Sequence, residues 1–380
     1  MKLRKLIETY SLWAFLVVLI IVLAIKTDFA FVRPENAANI MSQMSVEMII
    51  ALGMTMVIIT AGIDLSVGSL VAITGVLGIM AFSVAEALPP WLALLIAVIV
   101  GLEILAVSLA MGVRLRLALF IAALVGMGVT ALTVAGGLPL WLAFLIVILT
   151  SMLTGLACGS FSGFVITRFG IPPFVATLAM MFVCRGLAFI ICRERPVEIP
   201  VEYEQITFLG RGILGKGLFG LAWFPGIPLS GIIMIAGIVF FHVLLSGTVF
   251  GRKIYAVGGN EEAARLSGIN VKRVKFLVFA ITGALCGLSG IIQAATLGSG
   301  DPKSGEKWEL QVIAAVVVGG TSLFGGKGTI IGTFVGVLLI RVLAVGVNFL
   351  GFSRFWQYVV LGSVLLLAVL VDTISKKVKS

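Results

Sequence analysis

Asp64 stands in the stretch AGIDLSVGSL (61–70), between apolar runs that would otherwise join into one membrane-spanning segment. A carboxylate set in hydrocarbon costs about 3 kcal/mol on insertion scales, so an acid at that place needs a reason. With Gly62 before it and Ser66, Gly68 and Ser69 after it, Asp64 suits a break between helices, where its carboxylate accepts the amides of Ser66 or Val67 that lipid would leave unpaired. The same group can line a translocation path or its inner gate, and the two roles are compatible. A second interruption contains Gly319, Gly320, Thr321, Gly325, Gly326 and Gly328, and alternation of spans puts it on the same side as a second wall of that gate.

Other chemistry-bearing patterns fail on their context. GRGILG (210–215) matches a dinucleotide-binding glycine pattern but has no strand before it and no βαβ unit around it. TSLFGGKG around Lys327 resembles a phosphate loop, yet Thr321 replaces the first glycine and Gly328 the final hydroxyl residue that would hold Mg²⁺. The single His242 and the cysteines Cys158, Cys184, Cys192 and Cys286 sit in or beside apolar runs without metal-ligand spacing and read as small buried hydrophobes. No nucleophile, catalytic carboxylate pair, metal or cofactor site is expected, and an enzyme reading is weak.

The segment 247–274 has a different character. In FGRKIYAVGGNEEAARLSGINVKRVKF, Asn260 is a plausible N-cap, Glu261 and Glu262 favour the first turn of a short helix, and Gly268 stops it. Arg252, Lys253, Lys272, Arg273 and Lys275 flank it and fix its height at a membrane surface. Ala263, Ala264 and Gly268 present small residues; Ala264 and Gly268, four apart, are expected to share a face fitted to a groove of a cytoplasmic partner.

These residues must be held by membrane helices. The 380-residue chain is 60% hydrophobic and only 12% charged, with a mean hydropathy of +1.21, which excludes an ordinary soluble domain. Its net charge of +10 comes from basic residues scattered through short loops, so a nucleic-acid partner is not expected. About twelve candidate spans lie near 12–25, 41–61, 66–86, 91–111, 117–137, 139–167, 172–192, 227–246, 275–297, 308–320, 328–348 and 355–372. The predicted fold is therefore all-α: one polytopic transmembrane bundle over 1–380, of about ten to twelve spans, with helices broken at glycine-rich interruptions. With Lys2, Arg4 and Lys5 inside, alternation also puts Arg114, Arg116, Arg168, loop 247–274, Lys327 and the tail lysines inside, so both termini are expected to be cytoplasmic. Loop 193–226 and LGSGDPKSGEK (297–307) are expected outside. The first apolar run lacks a small-residue cleavage site and reads as a retained helix.

LPPWLALLIAVIVG (88–101) returns as LPLWLAFLIVILTS (138–151), an offset of 50 residues, so 88–167 is read as containing a duplicated helix pair. Gly155, Gly159 and Gly163 have the spacing that lets two helices approach closely, within one subunit or between two.

GIDLSVGS (62–69), GGNEEAARLSGINV (258–271), IAAVVVGGTSLFGGKG (313–328) and WQYVVLGSVLLLAVLVD (356–372), in this order, resemble the permease subunits of bacterial ATP-binding-cassette importers for monosaccharides of the ribose, xylose and galactose type. The resemblance covers nearly the whole chain except the duplicated pair. It implies a homodimer in the cytoplasmic membrane, two copies of a cytoplasmic ATP-binding subunit, and an extracytoplasmic sugar-binding protein. It also implies that Glu262, Ala263, Ala264 and Gly268, after the cap Asn260, belong to the coupling helix; Asp64, Ser66, Gly68, Gln311, Gly320, Thr321 and Gly326 are the residues expected to line the path or gate. Two features depart from that family: the extra helix pair, and Gln311 where many relatives carry Asp. The same machine carrying autoinducer-2, a nucleoside or an amino acid is the nearest alternative. A more distant one is an ion-coupled transporter, for which Glu47 and Glu103 would join Asp64 as intramembrane carboxylates.

Overall fold

The computed structural model describes residues 2–85, 140–216, 225–353 and 355–377. Among these, helices dominate, and the strands are two-residue pairs: Val197–Glu198 (β1) with Ser299–Gly300 (β4), and Ile213–Leu214 (β2) with Ile227–Pro228 (β3). The helices are α1 (Lys2–Lys26), α2 (Pro34–Ile59), α3 (Val67–Ala85), α4 (Leu140–Phe169), α5 (Pro173–Ile191), α6 (Leu229–Gly247), α7 (Val249–Gly259), α8 (Glu261–Leu266), α9 (Val271–Leu297), α10 (Trp308–Val318), α11 (Ile330–Phe349) and α12 (Trp356–Lys377). Ten of the expected spans are present as helices. The spans expected at 91–111 and 117–137, with the first copy of the repeat, lie outside the described residues.

The chain divides into two compact units: residues 1–61, 211–260 and 310–380 form one, and 62–210 with 261–309 the other. In the first, α2 is the central helix, packed by α6, α7 and α11. Pro34 occupies its first turn, where a missing N–H costs nothing, and from Met44 to Ile59 every side chain is buried. Its end is set by Ala61, at φ +57°, whose left-handed turn leads into Gly62. By contrast α6 keeps Ile235, Val239, Phe240 and Val243 on the outside, an apolar surface suited to lipid.

In the second unit, α9 packs along α4 and α3. The predicted glycine spacing on α4 serves packing within the chain: a Cβ on Gly155 would strike the carbonyl oxygen of Gly283, and one on Gly159 that of Phe279. Asn270 caps α9, its Oδ1 accepting the Arg273 N–H at 3.0 Å, and Gly298 at φ +82° ends it. The stretch after α9 is no free loop. Gly300 abuts Val76 and Gly305 abuts Gly68, so 299–307 lies antiparallel against α3, backbone on backbone. The 11-residue α10 that follows is too short to cross a bilayer alone.

Candidate functional site

Asp64 lies in the second unit, in the non-helical stretch before α3, with no exposed surface. Its Oδ1 accepts the Ser66 N–H at 2.9 Å and the Ser66 hydroxyl at 2.6 Å. Helix α3 itself begins at Val67, and Ser66 supplies the carbonyl for the Leu70 N–H, so Ser66 holds the cap position and Asp64 closes a turn just ahead of it. The Oδ2 of Asp64 has no hydrogen-bond partner among the described residues. One turn further on, Gly68 leaves just enough room for the Gly305 carbonyl and the Glu309 carboxylate.

Two residues that complete this arrangement carry no signal in the sequence. The hydroxyl of Thr177 on α5 accepts the Leu65 N–H at 3.1 Å and lies 3.2 Å from the Ile63 oxygen and 2.9 Å from that of Pro173. It thereby serves the exposed backbone of the break from a neighbouring helix, as membrane structure requires. Arg185, two turns along α5, donates to the carbonyls of Pro302 and Ser304 at 2.6 and 2.7 Å and pins 299–307 in place. Both were invisible because a hydroxyl or guanidinium that serves distant backbone has no local pattern.

Gly320, Thr321 and Gly326 gather in the first unit. The Gly326 N–H donates to the Ile59 carbonyl at 2.9 Å, and Gly258 fits against both groups with no space for a Cβ. Gly325 at φ +84° and Gly326 at φ +72° supply the left-handed turns that let 319–328 reach the end of α2. The Tyr255 hydroxyl donates to the Gly328 carbonyl at 2.7 Å; burial pushes its phenol pKa up, so it stays protonated and donating at physiological pH. The Thr321 hydroxyl is buried without a partner among the described residues. The glycine-rich interruption thus fastens the end of α2 to the last turn of α7. Gln311 is on α10, partly exposed, and joins none of these contacts.

The predicted short helix is present as α8, beginning after Asn260 and ending where Gly268 takes φ +81°. The Ile269 N–H reaches the Ala264 carbonyl at 3.1 Å and closes the turn. One expectation differs: Ala264 and Gly268 share no outward face. Ala264 is buried within the chain, whereas Gly268 is exposed with open space around it. The outward face carries Glu262, Ala263 and Leu266, whose side chain is 80% exposed. The helix ends at Leu266 and Gly268 takes a left-handed turn, so the four-residue spacing from Ala264 to Gly268 is not a helical one. Glu261 pairs with Lys275 of α9 at 2.6 Å, tying α8 to the next span.

Glu47 in α2 pairs with Arg341 of α11, and Arg341 also donates to Gln43 Oε1 at 3.2 Å. A carboxylate already neutralised by arginine is a poor carrier for a coupling ion. Glu103 lies outside the described residues.

The family described as "Branched-chain amino acid transport system / permease component" matches residues 102–369. The chain is 38% identical to the ribose import permease protein of Bacillus subtilis (strain 168), over 94% of its own length and 90% of the relative's. Its identity to the ribose import permease protein of Escherichia coli (strain K12) is 37%, over 97% of the chain and 94% of the relative. The xylose transport system permease protein of the same strain is 33% identical, over 98% and 93%. No solved structure matches the chain.

Proposed function

This chain belongs to the family of transport-system permease components, and from that premise we propose that it forms the membrane channel of an ATP-driven importer for a monosaccharide of the ribose or xylose type. It is a multi-pass helical membrane protein and a transport subunit. The likeness over nearly the full length of relatives named for ribose import and xylose transport is the observation that carries the sugar class.

In this reading a second permease copy completes the channel in the bacterial inner membrane, with both termini cytoplasmic. An extracytoplasmic binding protein delivers the sugar, and two cytoplasmic ATP-binding subunits hydrolyse ATP and dock on α8. Leu266 enters the groove of the ATP-binding subunit, while buried Ala264 and the Glu261–Lys275 pair make α8 move with α9. Helix α9 then drives α3 and α4, against which it has no slack because glycine backbone meets backbone. Asp64, Ser66 and Gly68 shape the broken entrance of α3, and Gly320, Thr321, Gly326 and Gln311 belong to the path or gate.

The test is substitution of Leu266, which leaves the packing of the chain untouched. Removing such an apolar anchor costs about 1.5 to 3 kcal/mol, roughly ten- to a hundredfold in assembly. Leu266→Asp is expected to insert normally yet lose the ATP-binding subunit on co-purification, together with sugar uptake. Retention of that subunit at the parent level would remove α8 as the docking element.

A further inference from the structure

We infer that the face shared by α2, α11 and α12 in the first unit is a water-filled polar track that contacts sugar hydroxyls, with Gln43, Arg341 and Asn348 as the contacting side chains. This rests on the importer reading and adds to it the residues that touch substrate.

Glu47 stands at the middle of α2 and Arg341 near the middle of α11. Arg341 is about 12 Å along the helix from its nearer end, beyond the reach of a snorkelling side chain. The ion pair accounts for Glu47, which is buried, but not for the rest of the group. Gln43 is exposed, the Arg341 side chain retains 17% of its surface, and its Nε is buried without a partner among the described residues. Polar groups on the outside of a span at this depth do not face lipid; they face protein or water.

The polar surface is also continuous. Asn348 is seven residues after Arg341 on α11 and so returns to the same face, where its Oδ1 accepts from Gln357 of α12 at 2.9 Å. Gln357 also donates to the Ala344 carbonyl at 3.2 Å, on that same face. Gln43 and Glu47 are one turn apart on α2. From the end of α11 to its middle, the sequence Gln357, Asn348, Arg341 with Gln43, and Glu47 forms a ladder of amides, one guanidinium and one carboxylate. Such groups satisfy hydroxyls that both donate and accept, and the one guanidinium is paired with the one carboxylate, so the ladder carries no net charge. Elsewhere on the first unit the exposed face of α6 is apolar, as a lipid contact should be.

The experiment places single cysteines at 43, 348 and, as a lipid-facing control, 239, in the complete importer with its four native cysteines replaced by alanine. A membrane-impermeant, water-soluble methanethiosulfonate is then applied. Positions 43 and 348 are expected to react and 239 not. Gln43→Leu, which removes the amide at an exposed position of that face together with its Arg341 bond, is expected to lower uptake of D-ribose, D-xylose or D-galactose, whichever the parent carries, by about fivefold or more at normal membrane levels. Failure to label at 43 overturns the track, as does labelling with uptake unchanged in the Leu variant. Disulfide formation between the 43 positions of two copies, with no labelling at 43, would make the face a dry subunit contact and overturn it. A parent importer that carries none of the three sugars defeats the monosaccharide reading instead, and labelling still decides whether the face is wet.

Discussion

At the level of single residues the polar groups inside this chain divide by what they satisfy. Asp64 is needed as an acceptor: only Oδ1 is engaged, by one amide and one hydroxyl of Ser66. Asp64→Asn preserves that oxygen and is expected to retain the fold and much of the uptake. Asp64→Leu strands a buried amide, costs about 1 to 3 kcal/mol, and should lower membrane levels or uptake. Equal uptake by the Leu variant at normal levels would remove the acceptor role. Thr177→Val tests the same break from the other side, since it removes the partner of the Leu65 N–H while keeping the shape; a loss of thermal stability in detergent comparable to that of Asp64→Leu is expected. The Glu47–Arg341 pair behaves differently. Losing one partner leaves a buried charge and costs about 3 to 5 kcal/mol, whereas replacing both by apolar residues is close to neutral for stability. Glu47→Met should therefore fold poorly and Glu47→Met with Arg341→Leu fold well but carry sugar poorly, measured as detergent-extracted folded protein and uptake. If the double variant is no better folded than the single, the pair is not the balanced unit described here.

At the level of elements, glycine decides which helices can move against one another. Gly155 and Gly283 place α4 and α9 backbone to backbone, and no rotamer of a larger residue relieves the collision. Gly155→Leu is expected to abolish folded protein in the membrane. Gly186 on α5, with nothing within 4 Å of an added Cβ, should accept alanine with unchanged melting temperature or a small gain, about 1 kcal/mol from helix propensity. Equal tolerance at both positions would show that α4 and α9 are not in this close contact. The spacing of Gly155, Gly159 and Gly163 made a tight helix contact legible before its partner was known. The break at Asp64 and the short helix at 261–266 were legible for a similar reason, because a turn residue, a cap and a stop are local signals. What α8 presents was not legible: whether Ala264 or Leu266 points outward depends on how α8 leans on α9, and no local pattern encodes that lean.

For the whole molecule, apolar run length identified ten helices that the structure contains, with ends shifted by up to about ten residues, because chain length against bilayer thickness is a crude but stiff constraint. The backing of 299–307 against α3 escaped it, since a polar segment buried by glycine contacts reads as a loop. The division into two compact units, each built from distant stretches of chain, also escaped it, because no composition change marks where the units exchange. The second unit nonetheless sets a sharp condition on orientation. Helix α9 has 27 residues, about 40 Å at 1.5 Å per residue, enough to cross a bilayer. Its amino-terminal end carries α8 and the exposed Arg265, while β4 just past its other end pairs with β1, whose segment continues to the exposed Gln205. Positions 205 and 265 must therefore lie near opposite ends of α9. The flanking cations Lys272, Arg273 and Lys275 at the α8 end determine which side is cytoplasmic. In intact cells a membrane-impermeant maleimide is expected to label cysteine at 205 and not at 265, with 265 reacting only after permeabilisation. The reverse pattern would invert the proposed orientation and put α8 out of reach of any cytoplasmic ATP-binding subunit. Labelling of both from outside would mean that α9 does not cross the membrane at all.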